Sequence, residues 1–268
     1  MTEPRPPHAA VLREPARFEA KAVAAVAARY SPLPAESLLP LVRRNWGIVG
    51  EPSPAEAAES LTADLEAAGF KAAAVPVSLL EPVPPAVAVT KALLAGDGFD
   101  VEAGRSGAAR ERLVWTHLKV LSAGTVTSSS LKTVTEGPSL AEKSVRLGVT
   151  MLTGLPVMGA KEKTRQVAQE TRVNFIELVF AEPARRLRVV AGEFDYAALG
   201  AKMTYSAELN FRALVAELAA RAPGALRSRG ARAIVEKAPS GLLHYESFDD
   251  AEREERWLQA LAALGAAG

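Results

Sequence analysis

Three histidines, no cysteine and a few clustered carboxylates bound the chemistry open to this chain. His8 lies among N-terminal prolines, His117 in an apolar run and His244 in Leu243-His-Tyr245; no two share a metal-ligand spacing. The absence of cysteine excludes disulfides, thiol nucleophiles, zinc ribbons and iron–sulfur clusters, so no metal is expected. Gly154-Leu-Pro-Val-Met-Gly159-Ala-Lys161 approaches a phosphate-cradling loop and departs from it where it matters. Ala160 separates the second glycine from the lysine, Glu162 stands where a hydroxyl would hold magnesium, and Pro156 removes a backbone donor. No Gly-x-Gly-x-x-Gly follows a strand, and no Gly-x-Ser-x-Gly elbow is present. No cofactor is expected. Glu193 and Asp195 in Gly192-Glu-Phe-Asp-Tyr196 would share one strand face and could do acid–base work. The plainer reading is a turn in which Asp195 caps Tyr196–Leu199. With no nucleophile–base pair, the expected protein is not an enzyme.

Recognition is the remaining class. Lys161, Lys163 and Arg165, with Arg185 and Arg186, form a basic cluster beside the apolar run that holds Leu155 and Met158. These seven residues are the candidate interaction surface. Residues 119–172 carry eight Lys or Arg against four Glu, a local excess of +4 in a chain of net charge +1. The expected partner is another protein. The alternative is a membrane surface, with Leu155, Val157 and Met158 dipping into the interface beside Lys161 and Lys163. The competing account is a solvated face whose cations pair with Glu162, Glu177 and Glu182. Four Tyr and three Trp scattered along the chain make no stacking platform, and near-zero net charge gives no footprint for nucleic acid. Oligomeric state is not legible. The N-terminus has no apolar segment of a secretory signal, so a cytoplasmic protein is expected.

The elements that must position this surface are readable from periodicity and punctuation. Residues 9–76 carry the order strand, helix, helix, strand, helix, strand. Phe18, Ala22, Val23, Val26 and Ala27 share a helical face; Pro34 opens a second helix; Ser53-Pro-Ala-Glu56 reads as a capping box before a third that ends at Gly69. Residues 77–86 hold three prolines in a linker, and residues 87–268 form the second domain. There, Val87–Leu94 and Phe99–Glu102 flank an Asp97-Gly98 turn, a strong hairpin signal. Arg112–Leu121, Val173–Phe180 and Arg185–Ala191 are further strands, and Ala207–Arg221 is a helix. Residues 122–172 are an insertion, Ala231–Glu236 a strand, and residues 249–264 a helix with Ser247 as its cap. Arg253 to Arg256 read as the wet face of that helix. Trp115 and Trp257 are expected in the core. The fold class is α+β.

Two resemblances attach to these elements. Ala20–Ala28, Leu39-Pro-Leu-Val42, Ser53-Pro-Ala-Glu-Ala57, Leu65-Glu-Ala-Ala-Gly69 and Lys71–Val75 resemble the C-terminal domain of the bacterial ribosomal stalk protein, a fold shared with the Clp-protease adaptor. That family's helices present lysines to translation factors. Here Arg43, Arg44, Asp64 and Glu66 stand on that surface, so this binding is not carried over. Leu113-Val-Trp115-Thr-His-Leu118, Phe175–Phe180, Leu187–Val190 and Asn210-Phe211-Arg-Ala-Leu214 resemble a pleckstrin-homology-like barrel with its closing helix. That resemblance implies a scaffold that binds lipids, peptides or proteins, and no particular ligand.

Overall fold

The computed structural model describes residues 6–14, 19–80, 84–103, 110–136 and 163–265. Strand β1 (His8–Leu12) is apolar on both faces because both are covered. It is the centre of a three-stranded antiparallel sheet, between β2 (Ile48–Ser53) and β3 (Ala72–Pro76). Helices α1 (Ala20–Ala27), α2 (Ala35–Arg44) and α3 (Ala55–Ala67) are the helical elements of this module, and Val23, Leu38, Leu61 and Leu65 pack onto Ala10 and Leu12. The alternate residues Val11 and Val75 pack instead with Trp257, Leu258 and Leu261.

Two local signals resolve differently from each other. Gly69 ends α3 as expected, at φ +89°, with Phe70 N–H donating to Leu65 O at 2.9 Å. Ser53 is not the cap of α3. It pairs with His8 in the sheet, and Pro54 takes the cap position with no side-chain hydrogen bond.

The second sheet has eight strands. β4 (Val87–Leu94), β5 (Gly98–Ala103) and β6 (Arg110–Val114) form an antiparallel meander, closed at the expected turn by Ala95 N–H to Gly98 O at 2.9 Å. β7 (Leu118–Glu136), β8 (Lys163–Ala181) and β9 (Ala184–Val190) follow, and β9 lies parallel to β4. The expected strand through Trp115 is broken by a 3-10 turn, Trp115–His117. This turn seats the buried indole, whose N–H donates to Ala95 O at 3.0 Å. β10 (Leu226–Arg227) and β11 (His244–Tyr245) pair parallel to β7.

Helix α4 (Ala207–Arg221), capped by Ser206, buries Phe211, Leu214, Val215 and Leu218 in the core formed by Val101, Leu113, Leu118, Ile176, Leu178 and Leu187. The segment expected as a strand at Ala231–Glu236 is helix α5 (Arg229–Val235). Ser228 caps it by accepting from Ala231 N–H at 3.2 Å. A short apolar run fits either period, and the cap decides it. Gly230 in α5 touches β7 so closely that a Cβ there would stand 2.0 Å from Ala123 O. Gly230→Ala is therefore expected to cost about 1–3 kcal/mol by forcing α5 off the strand. Urea unfolding measures it; an unchanged midpoint would refute the contact. Helix α6 (Phe248–Ala263) is capped by Ser247, as the sequence indicates.

Contacts divide the chain into two units, Met1–Val126 with Val173–Gly268, and Thr127–Arg172. The expected domain boundary at residues 77–86 falls inside the first unit. Val77–Leu80 forms a 3-10 turn that packs on α6, and Trp257 of α6 donates to Leu12 O at 2.7 Å. The N-terminal module therefore shares a core with the C-terminal helix, which no reading of local composition reveals. The class is α+β. Among the described residues, no helix is long and apolar enough to cross a membrane.

Candidate functional site

Leu155, Met158 and Lys161 of the expected surface lie outside the described residues. Lys163 and Arg165 are on β8 within Thr127–Arg172, whereas Arg185 and Arg186 are on β9 in the larger unit. Arg185 is half exposed and paired to Glu111, Nε to Oε1 at 3.2 Å.

Arg186 is a correction. Its side chain is 4% exposed, so it is no part of an open basic surface. Along β9, Leu187 and Val189 face the main core, and Arg186 and Arg188 face the other way, as alternation requires. That second face is roofed by α6. Arg186 Nε donates to Glu177 Oε2 at 2.7 Å, Nη1 to Glu252 Oε1 at 2.7 Å, and Nη2 lies 3.1 Å from Glu255 Oε2. Arg188 pairs with Glu177 Oε1, and its guanidinium sits 4.1 Å from the Phe248 ring centre. Two arginines at i and i+2 of a strand thus meet two glutamates at i and i+3 of a helix, around the strand carboxylate Glu177.

The supposed wet face of α6 is likewise partly interior: Glu254 and Glu255 are both buried. Glu254 accepts from Tyr245 Oη at 2.6 Å and from Arg229 N–H at 2.7 Å. Burial raises the Glu254 carboxyl above its usual range, and pushes the Tyr245 phenol well above its own. Glu255 is also held well above the carboxylate range, first by burial and then by the charge of Glu177.

The Glu193–Tyr196 cluster takes the plainer form, a turn with a cap. Glu193 and Asp195 are exposed, and Asp195 Oδ1 accepts from Ala197 N–H at 2.9 Å as a cap. The Tyr196 hydroxyl donates to Ala191 O at 3.1 Å, and burial pushes this phenol up to about 12. Of the histidines, His117 Nδ1 contacts Glu182 O at 2.7 Å and His8 Nδ1 contacts Pro6 O at 2.8 Å, both backbone partners. Among the described residues, no group of three or more His, Asp or Glu is placed to hold a metal ion.

A cleft of about 1300 Å³ opens between α2, α5 and the segment before α6. Its feature is Trp46, a bulky residue at φ +54° just past α2, held there by its indole N–H donating to Asp250 O at 3.1 Å. The Arg229 guanidinium stacks 4.7 Å from the Trp46 ring and 4.8 Å from the Tyr245 ring. Four arginines and five carboxylates line the cleft, so its charge selects neither an anion nor a cation.

The residues that the sequence reading missed are Glu252 and Glu255; Glu177 was named only as a partner on a solvated face, and it is buried. Glu177 had a signal: a single carboxylate inside the apolar strand Phe175–Phe180, opposite Arg188 in the hairpin register. Trp46 had none. No protein-family model matches the chain, and no curated protein or solved structure matches it either.

Proposed function

We propose that the protein is a non-catalytic binding or adaptor protein that engages another protein through Thr127–Arg172. One observation carries this reading: the chain sets aside that segment as a unit of its own contacts, holding β7 after Val126 and β8 before Val173. The strand sequences Thr127–Glu136 and Lys163–Arg172 are polar at nearly every position, rich in Thr, Ser, Gln and basic residues. Such strands have no apolar face that demands a core, and a third strand can pair with them through the backbone. Among the described residues, no third strand pairs with either stretch.

The larger unit is read as pleckstrin-homology-like: two three-stranded runs with α4 across their core. The parallel β4–β9 junction and the added β10 and β11 depart from that pattern. The resemblance of the N-terminal module to the ribosomal stalk domain is supported by its element order alone. A cytoplasmic location belongs to the same proposal.

Photo-crosslinking tests it. A crosslinking residue placed at Ser130 or Ala168 of the full chain is expected to capture protein from a cell extract. The same residue at Glu208 on α4 is expected to capture none. Capture only from Glu208, or co-sedimentation of the chain with anionic vesicles in place of protein capture, would overturn the reading.

A further inference from the structure

The cluster under α6 has an imbalance that its geometry makes consequential. It holds three carboxylates, Glu177, Glu252 and Glu255, against two guanidiniums, Arg186 and Arg188. Fully ionised it would carry a net negative charge, with Glu177 and Glu255 both completely buried. Arg186 Nη2 lies 3.1 Å from Glu255 Oε2 without forming a well-aligned hydrogen bond, so Glu255 has only this shared cation and the Ser122 hydroxyl to meet it. A buried carboxylate with so few donors, beside a second buried carboxylate, is strongly disfavoured. A proton on Glu255 removes both defects: the cluster becomes neutral, and the carboxylic acid gains a hydrogen to donate. Glu177 is the acceptor within reach, and the buried Ser122 hydroxyl of β7 also faces Glu255.

We propose that this cluster is a proton-dependent latch, in which Glu255 carries a proton at neutral pH, donates it to Glu177, and loosens α6 from the β8–β9 hairpin when that proton is lost. The groups that face Glu255 are Ser122 on β7, Glu177 on β8, Arg186 on β9 and Glu252 on its own helix, with Arg188 behind Glu177. Losing the proton leaves one uncompensated negative charge beside Glu177. Both the helix and the hairpin contribute to the cluster, so separating them admits water to that charge.

The sign is fixed by linkage. The folded state holds this proton more tightly than the unfolded chain does, so stability falls as pH rises from the ordinary carboxylate range toward the raised value in the fold. Within that window one proton changes the folded-to-unfolded ratio by about tenfold per pH unit. Glu254 shifts in the same direction, so it needs its own control.

The test is the pH dependence of urea unfolding in the full chain, with hydrogen exchange across α6 and the infrared band of a protonated carboxylic acid. In the natural sequence, that band is expected at pH 7. Glu255→Gln is expected to weaken the band and reduce the pH dependence by the share Glu255 supplies, and to be the more stable protein at alkaline pH. Glu254→Gln is expected to retain the part of the dependence that Glu255 supplies. Amides of α6 are expected to exchange faster than their intrinsic rates predict as pH rises in the natural protein, and not in Glu255→Gln. No protonated-acid band at pH 7 in the natural protein would overturn the latch, and this reading does not depend on any variant folding. So would a Glu255→Gln protein with an unchanged pH dependence.

Discussion

Replacing Trp257 with alanine is expected to destabilise the protein by about 3–5 kcal/mol. Trp257 is 2% exposed and packs with Val11 and Val75 of the small sheet, Val120 and Val179 of the large one, and Leu226. Its indole N–H donates to Leu12 O at 2.7 Å, a bond that ends buried and unreplaced in the variant. The fit against the chain before β2 is close: a Cβ on Gly47 would stand 2.1 Å from Trp257 Nε1. The side chain therefore joins the N-terminal module, α6 and the large sheet at one point. Urea unfolding at fixed pH measures the loss. A loss below about 1 kcal/mol, well under the usual range for a buried aromatic, would mean that α6 is loosely docked. Trp257→Phe separates the two contributions: it keeps most of the packing and is expected to lose about 1 kcal/mol with the donor.

What the sequence made legible is mostly what is decided within a few residues. The Asp97-Gly98 hairpin, the Gly69 helix end and the Ser247 cap each depend on a neighbour no more than five positions away, and each stands in the structure. The same reasoning failed where two local signals competed. Ser53 is a good cap by type, but pairing with His8 took it into β2. The run Ala231–Glu236 is apolar enough for a strand, and the Ser228 cap together with the close approach of Gly230 to Ala123 made it a helix.

The buried charges were illegible for a different reason. Alternation correctly sets Arg186 and Arg188 on the opposite face from Leu187 and Val189. It says nothing of what covers that face. The covering element, α6, begins about 60 residues after β9, and its own helical period carries Trp257, Leu258 and Leu261 as an evident apolar stripe. Glu254 and Glu255 sit beside that stripe and look solvated until the arginines beneath are known. A half-polar strand face reads as a surface for a partner and a half-polar helix face as meeting water, when they meet each other.

That meeting gives the second large effect. Arg186→Met is expected to cost about 3–5 kcal/mol, the usual loss when one partner of a buried ion pair is removed. The side chain bridges three carboxylates, and Glu177 and Glu255 have no route to solvent. Arg188 would remain on Glu177 but would leave Glu255 with no cation in contact. The cost is expected to be smaller near pH 5 than near pH 8, because acid conditions let a buried carboxyl take a proton instead of holding an uncompensated charge. Arg186→Lys is expected to recover only part of it, since one ammonium lacks the planar fork that reaches all three acids at once. Adding Glu177→Gln to Arg186→Met removes the stranded charge and is expected to return part of the stability, which distinguishes lost charge balance from lost packing. If the single variant unfolded at the same urea concentration as the natural protein at pH 8, the cluster would contribute no net stability, and the attachment of α6 would rest on Trp257 and its apolar neighbours alone.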